Sequence, residues 1–232
     1  MSPLDRWSGQ PVADPRLSAV GYVLGDLRRA IDSGVVGVGE RLPSEAALAA
    51  RYSVSRTVVR EVLRSCEALG LTVTRTGKGT FVVAQRPSQL LFDGFSSAHL
   101  IEARPHIEVP AAGLAAIRCT EQHVETLQKL IEAMDIETDD LVWVGLDASF
   151  HLAVAEASGN PVFAQVLASI RTALAGQSVM LNAGGRRSAS NREHRSIAAA
   201  IARGSAVEAE DAMRFHLDQV KDAVTDSVDD DG

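Results

Sequence analysis

An aspartate and a histidine stand four residues apart in the segment DASFH, Asp147 to His151. On a helix that spacing puts both on one face, one turn apart. The flanking residues are apolar, so the pair is set into a segment that otherwise belongs in a core. Three chemistries fit it: a local hydrogen bond, a catalytic acid–base pair, or half of a metal site. Two further histidines widen the choice. His194 lies in NREHRSIAAAI and His216 in AMRFHLDQV, in segments that read as consecutive helices joined by a short turn. Such helices usually pack antiparallel, so the start of one and the end of the next lie at the same level. His194 and His216 can therefore meet. With Asp147 and His151 from a third helix they supply one carboxylate and three imidazoles. That set suits a divalent transition metal such as zinc, nickel or manganese, with positions left open for water or a ligand's oxygens. Spacing alone keeps the alternatives open, and a local hydrogen bond is the commoner use of an Asp-x-x-x-His pair. His99, His106 and His123 have no comparable partner and read as surface or capping residues.

The elements that must position these residues are mostly helical. The 232-residue chain is 46% hydrophobic with mean hydropathy near zero and little aromatic content, which fits a soluble globular protein with a real core. No window approaches eighteen uninterrupted apolar residues, so no transmembrane span is expected. The first residues carry early charge and no apolar stretch, unlike a secretory signal. Cys66 and Cys119 lack motif spacing and read as reduced thiols of a cytoplasmic protein. Charge is unevenly spread. Residues 1–84 carry 11 Lys/Arg against 8 Asp/Glu, whereas residues 85–232 carry 12 against 22. A small basic unit before a larger acidic one is the pattern of a DNA-binding module joined to something else.

Residues 1–16, polar and rich in Pro and Gly, read as a flexible arm. Val20, Val23, Leu24, Leu27 and Ile31 have helical spacing in 17–33. LPSEAALAARYS starts a second helix, with Ser44 as N-cap and Glu45 at the positive end of the dipole. A turn at Ser53–Val54 leads to SRTVVREVLRSCEALG, whose apolar stripe runs from Val58 to Leu69. LTVTRTGKGTFVV then changes period and reads as a β-hairpin with a Gly-Lys-Gly tip. The order helix, helix, turn, helix, hairpin is a winged helix-turn-helix over residues 17–84. QRPSQ (85–89) reads as a linker. Helices follow at about 89–118, 121–136, 139–157, 161–180, 190–203 and 206–225, with an acidic, disordered tail at 226–232. Their start signals are Thr138 before two aspartates, Asn160 before Pro161, and the capping-box spacings Ser190/Glu193 and Ser205/Glu208.

On the third helix Arg56, Thr57, Arg60 and Arg64 share the polar side. Arg56 and Thr57 sit near its N-terminus, where a recognition helix meets base edges. Arginine bonds guanine with two donors, so Arg56 and Arg60 are the candidates for sequence reading. Arg41, Arg51 and Lys78 are better placed to hold phosphates. The stretch ERLPSEAALAARYSVSRTVVREVLRSCEALGLTVTRTGKGTFVV resembles the DNA-binding domain of the GntR family of bacterial transcription regulators, over about residues 20–84. Thr72 departs from it, standing where an apolar residue is more usual. The resemblance implies palindromic operators bound by a homodimer. It places DNA contacts at Arg41, Ser55, Arg56, Thr57, Arg60, Thr76, Gly77 and Lys78.

The second half, about 90–222, resembles the FCD effector domain of the FadR subfamily through EARPHIEVPAAGLAAIR, DASFHLAVAEASGNPVF and EHRSIAAAIARGSAVEAEDAMRFHL. The fold implied is mainly α: a winged helix-turn-helix followed by an antiparallel helical bundle at 90–225. The resemblance implies metal ligands at Asp147, His151, His194 and His216 and an arginine, Arg104, directed into the pocket. It implies a small carboxylate or sugar acid as effector; a cation and Arg104 together suit one. Glu108, Asn160, Arg171 and Gln177 are further pocket candidates. A metalloenzyme is the competing reading, since an open metal site activates water. The chain offers no well-placed general base, H-E-x-x-H, G-x-S-x-G or Walker A loop for it. A metal sensor is a third. The expectation is a cytoplasmic regulator, commonly a repressor, in which effector binding alters the spacing of two winged domains.

Overall fold

The computed structural model describes residues 18–85, 96–183 and 185–229. The expected arm, and most of the expected linker, lie outside the described residues. The first unit holds α1 (Ala19–Asp32), α2 (Glu45–Tyr52), α3 (Arg56–Ala68), β1 (Thr72–Arg75) and β2 (Gly79–Val82). The second holds α4 (Ser97–Arg118), α5 (Glu121–Ile136), α6 (Asp140–Ala157), α7 (Pro161–Ala183), α8 (Arg187–Ala202) and α9 (Ala206–Asp229). The backbone of residues 226–229 is the last turn of α9, not the disordered tail its acidic composition suggests. Among the described residues no helix is long and apolar enough to cross a membrane.

Caps set most helix starts. Ser44 Oγ accepts from the Ala47 N–H at 3.2 Å, and Ser55 Oγ from the Val58 N–H at 3.3 Å. Ser53 takes a left-handed conformation (φ 55°) in the turn between α2 and α3. Ser96 and Thr120 start α4 and α5 in reciprocal capping boxes whose return acceptors are His99 and His123, so both histidines are caps. Two start signals are corrected. Asp139, not Thr138, caps α6, because its carboxylate accepts from both Leu141 and Val142 N–H groups. Ser190 and Glu193 form no capping box. Helix α8 already runs from Arg187, and both side chains take hydrogen bonds from the Arg186 guanidinium, at 2.9 and 2.8 Å.

The wing is an antiparallel pair with Thr72 opposite Val82 and Arg75 opposite Gly79. The backbone requires glycine at Gly79, whose φ is +101°, and a Cβ there would also push the Arg41 guanidinium aside, 2.6 Å from its Nε.

Helix α6 is the centre of the second unit. It lies against α3, α4, α5 and α7, and all its residues except Asp140, Leu141 and Glu156 are buried. Helix α9 packs along α4 and α8. One continuous apolar core runs from α1 and α3 into α5, α6, α8 and α9. Around it, Arg28 pairs with Asp139, and Arg171 reaches Glu67 at 3.4 Å. Cys66 is fully buried, which pushes its thiol up to about 12.

Thr72, the departure from the usual pattern, is buried with its hydroxyl unpartnered. An unmet buried hydroxyl costs stability, and a methyl in its place does not. Thr72→Val is therefore expected to raise unfolding stability by about 1 kcal/mol in a chemical denaturation series. A loss of stability would contradict this packing of the wing.

Candidate functional site

Three buried imidazoles meet between α6, α8 and α9. One ligand atom from each of His151, His194 and His216 lies within 4.8 Å of the others. The rings are held differently. Glu108, from α4, places a carboxylate oxygen 2.5 Å from His151 Nδ1. Glu193, from α8, does the same for His216 Nδ1 at 2.7 Å. At His216 this hydrogen bond fixes the tautomer and leaves Nε2 as the ligand atom; at His151 the carboxylate is close without hydrogen-bond geometry. His194 has no such support. It is 0% exposed, and neither ring nitrogen has a hydrogen-bond partner. Its closest carboxylate oxygen is Asp147 Oδ1, 3.5 Å from Nε2. Asp147 is itself oriented by Ser178, whose hydroxyl donates to Oδ2 at 2.6 Å.

Electrostatics keep His194 and His216 neutral. Burial pushes His194 and His216 well below the usual imidazole range, and neighbouring imidazoles, Arg104 and Arg186 push the same way. Neutral imidazole is the form that ligates metal. Burial alone would raise Glu108. The Arg104 guanidinium and His151 outweigh it and hold the carboxyl below its usual range, hence ionised. The residues present fit a divalent ion: three buried imidazoles, an oriented carboxylate, two supporting carboxylates and the orphaned nitrogens of His194.

Arg104 is buried beside the cluster. Its Nε donates to Glu108 at 2.5 Å and its Nη1 to Gln177 Oε1 at 2.8 Å, and Nη2 lies 3.3 Å from His151 Nε2. Arg104, Asp147, His151 and His216 line one cavity with Trp143, Ser178 and Asn182. Its volume is about 10 Å³, room for about one water. The structure therefore brings together Arg104, Glu108, Asp147, His151, His194 and His216. It does not bring Asn160 or Arg171 to the cavity. Asn160 Oδ1 accepts from Val162 N–H as the cap of α7, and Arg171 faces Glu67 in the first unit. Glu193 and Ser178 are the residues that sequence reasoning missed. Glu193 adjoins His194 in the chain, but its partner is 23 residues away, and capping-box spacing hid it.

The basic surface lies on α2, α3 and the wing. Arg56 and Arg60 are 62% and 54% exposed and share Glu45 as partner, at 3.2 and 3.0 Å. Thr57 and Arg60 border a cleft of about 180 Å³ shared with Gln122, His123 and Glu156. Thr76, Gly77 and Lys78 form the wing tip, and Arg41 crosses the wing at Gly79. Arg51 lies over the Tyr52 ring. Arg64 departs from the expected polar face: it turns to Glu61 and to Glu156 of α6.

A winged helix-turn-helix joined to a helical bundle with a buried polar site defines a DNA-binding regulator with a sensing domain. Comparison with known proteins gives the family. Residues 21–82 match the bacterial regulatory proteins of the gntR family, and residues 99–219 match the FCD domain. The chain is 31% identical to the HTH-type transcriptional regulator LutR of Bacillus subtilis (strain 168) over 210 residues, 84% of this chain and 96% of that protein. It is 32% identical to an Escherichia coli (strain K12) regulatory protein named for an L-lactate dehydrogenase operon, covering 82% and 80% of the two chains. A GntR family member from Pseudomonas syringae pv. tomato str. DC3000 shares the fold, with TM-score 0.50 and 22% identity over 98% of this chain and 95% of that one. The chain belongs to the GntR family of bacterial regulatory proteins and carries an FCD domain. It is a transcription regulator, not an enzyme.

The orphaned nitrogens of His194 set a prediction. In ion-free protein, His194→Leu removes two unmet polar atoms at similar volume, so stability is expected to hold or rise by on the order of 1 kcal/mol. Added zinc at about a hundredfold over Kd should stabilise the native chain by about 2.7 kcal/mol and the variant by none of this. Thermal melts with and without zinc check both halves; a large loss in ion-free variant would contradict the site.

Proposed function

We propose that this regulator is a repressor that binds a palindromic operator as a homodimer. It releases the operator when a small carboxylate enters the FCD domain beside a divalent ion. The ion, zinc, nickel or manganese, is held by Asp147, His151, His194 and His216. The observation that carries this reading is the cluster of three buried imidazoles with Arg104 at its edge. When bound, the ion supplies a Lewis-acidic centre for the effector's oxygens. The chain's own residues do the rest. Glu108 and Glu193 hold two of the rings in register. Arg104 offers a charged fork for a carboxylate, and Glu108 and Gln177 hold that fork ready.

A carboxylate needs more room than about 10 Å³, so its entry has to move the cavity walls. Helix α6 is one of those walls. Binding and helix movement are thereby linked, and a ligand shifts the equilibrium by its differential affinity for the two arrangements. One relative is named for an L-lactate dehydrogenase operon, so lactate is the first acid to try. The same small cavity favours a second reading, in which the ion itself is the signal. Zinc alone would then change operator affinity with no acid added.

On the DNA side, Arg56 and Arg60 read base edges. Ser55, Thr57, Arg41 and the wing residues Thr76, Gly77 and Lys78 contact the duplex around them. Arg56→Ala and Arg60→Ala should each cost about 1–3 kcal/mol of specific binding. Lys78→Ala should weaken binding to all sequences alike and lower the salt slope by about one. Fluorescence titrations against the promoter DNA flanking the gene check this. Unchanged affinity in both arginine variants would contradict the assignment.

For the effector, a thermal-shift screen of lactate and other hydroxy and sugar acids on zinc-loaded protein should give carboxylate hits. Arg104→Ala should keep the zinc and weaken those hits about tenfold or more, the loss of a charge-assisted pair. Hits that survive in the variant would remove Arg104 from the site.

A further inference from the structure

Helix α6 has two working faces. Asp147 and His151 look into the histidine cluster. Ser149 stands two residues from each of them, and two residues turn a helix by about 200°. Ser149 therefore faces the other way, towards α3. Its Oγ lies 2.8 Å from Ser65 Oγ, and both residues are fully buried. Each hydroxyl is also within reach of its own helix, Ser149 of the Gly145 carbonyl at 2.9 Å and Ser65 of the Glu61 carbonyl at 3.0 Å. Two protons thus serve three contacts, and none of them reaches water.

The backbones approach closely at the same place. A Cβ added to Gly145 would lie 3.1 Å from Ser65 Cβ. About two turns further along α6 from Ser149, Arg64 bridges the helices, with Nη1 on Glu61 at 2.9 Å and Nη2 on Glu156 at 2.7 Å. Groups packed this tightly pass a displacement on, because interiors have little free volume to absorb it. Helix α3 is thirteen residues long and carries Arg56 and Arg60 in its first turns. Its far half is the part pinned to α6.

We infer that the seam of Arg64, Ser65, Gly145, Ser149 and Glu156 couples the histidine site to the recognition helix. The inference rests on the metal reading proposed above. A change that shifts Asp147 and His151 shifts Ser149 and Glu156 on the same helix. These carry α3 with them, and Arg56 and Arg60 move as part of that helix. Ser149 and Glu156 are positioning residues: neither lines the histidine cavity, although Glu156 borders the cleft beside Thr57 and Arg60.

Hydrogen exchange on the full chain, with and without zinc, tests this without knowledge of operator or effector. Zinc should slow exchange by about fivefold or more both in residues 140–157 and in residues 56–68, the low end of typical coupling. In the double variant Ser149→Ala/Glu156→Gln, zinc should still protect 140–157 while protection of 56–68 falls below about twofold. The single variant Ser149→Ala should fall between, and it serves if the double variant does not fold. Native protein in which zinc protects 140–157 but not 56–68 overturns the coupling and leaves the metal site standing. Variants that transmit protection as the native chain does also overturn it. Failure of zinc to protect either segment overturns the metal reading, and the coupling with it.

Discussion

His194 sits in the interior with two ring nitrogens and nothing to bond them. An unmet buried polar atom costs about 1–3 kcal/mol, a large share of a domain's net stability. Most of the polar side chains around it are paired: Asp147 with Ser178, Arg104 with Glu108 and Gln177, His216 with Glu193. Buried atoms left without a hydrogen bond, both His194 nitrogens, His151 Nδ1, Glu108 Oε2 and Asn182 Nδ2, gather around the three imidazoles. The neutral state of His194 and His216 and the carboxylates beside His151 and His216 point the same way. An interior arranged like this is complete when a cation occupies the centre.

The second dependence is on α6. A helix buried on nearly every side can carry charged groups only if each is matched from a neighbouring element. Matching them ties α6 to α3, α4 and α7 at once. Glu108 and Arg104 come from α4, Ser178 from α7, and Arg64 and Ser65 from α3. In the proposed reading, sensing and DNA reading share one structural member, because the histidine site and the contacts that hold α3 lie on opposite faces of α6. The common core from α1 to α9 leaves little freedom for the two units to move independently.

Much of this was legible in the chain because it depends on local rules. Apolar spacing placed the helices, Ser44 marked one start, and the Gly-Lys-Gly tip marked the wing. The meeting of His194 and His216 followed from antiparallel packing of neighbouring helices. What sequence reasoning missed or misplaced depends on partners distant in the chain. Glu193 reads as a capping residue until His216 is seen beside it. Arg64 reads as part of a basic face until Glu156 appears 92 residues later. Arg171 points to Glu67, because the first unit packs where a pocket was expected. Ser178, Ser65 and Ser149 carry no signal at all, since a serine is read from its neighbours.

X-ray absorption at the metal edge, on protein loaded with one equivalent of zinc, tests the central claim most directly. The account predicts a first shell of three imidazole nitrogens and at least one oxygen, with Zn–N distances of about 2.0–2.1 Å. A shell of oxygens alone, one containing thiolate sulfur, or binding well below one ion per chain would contradict it.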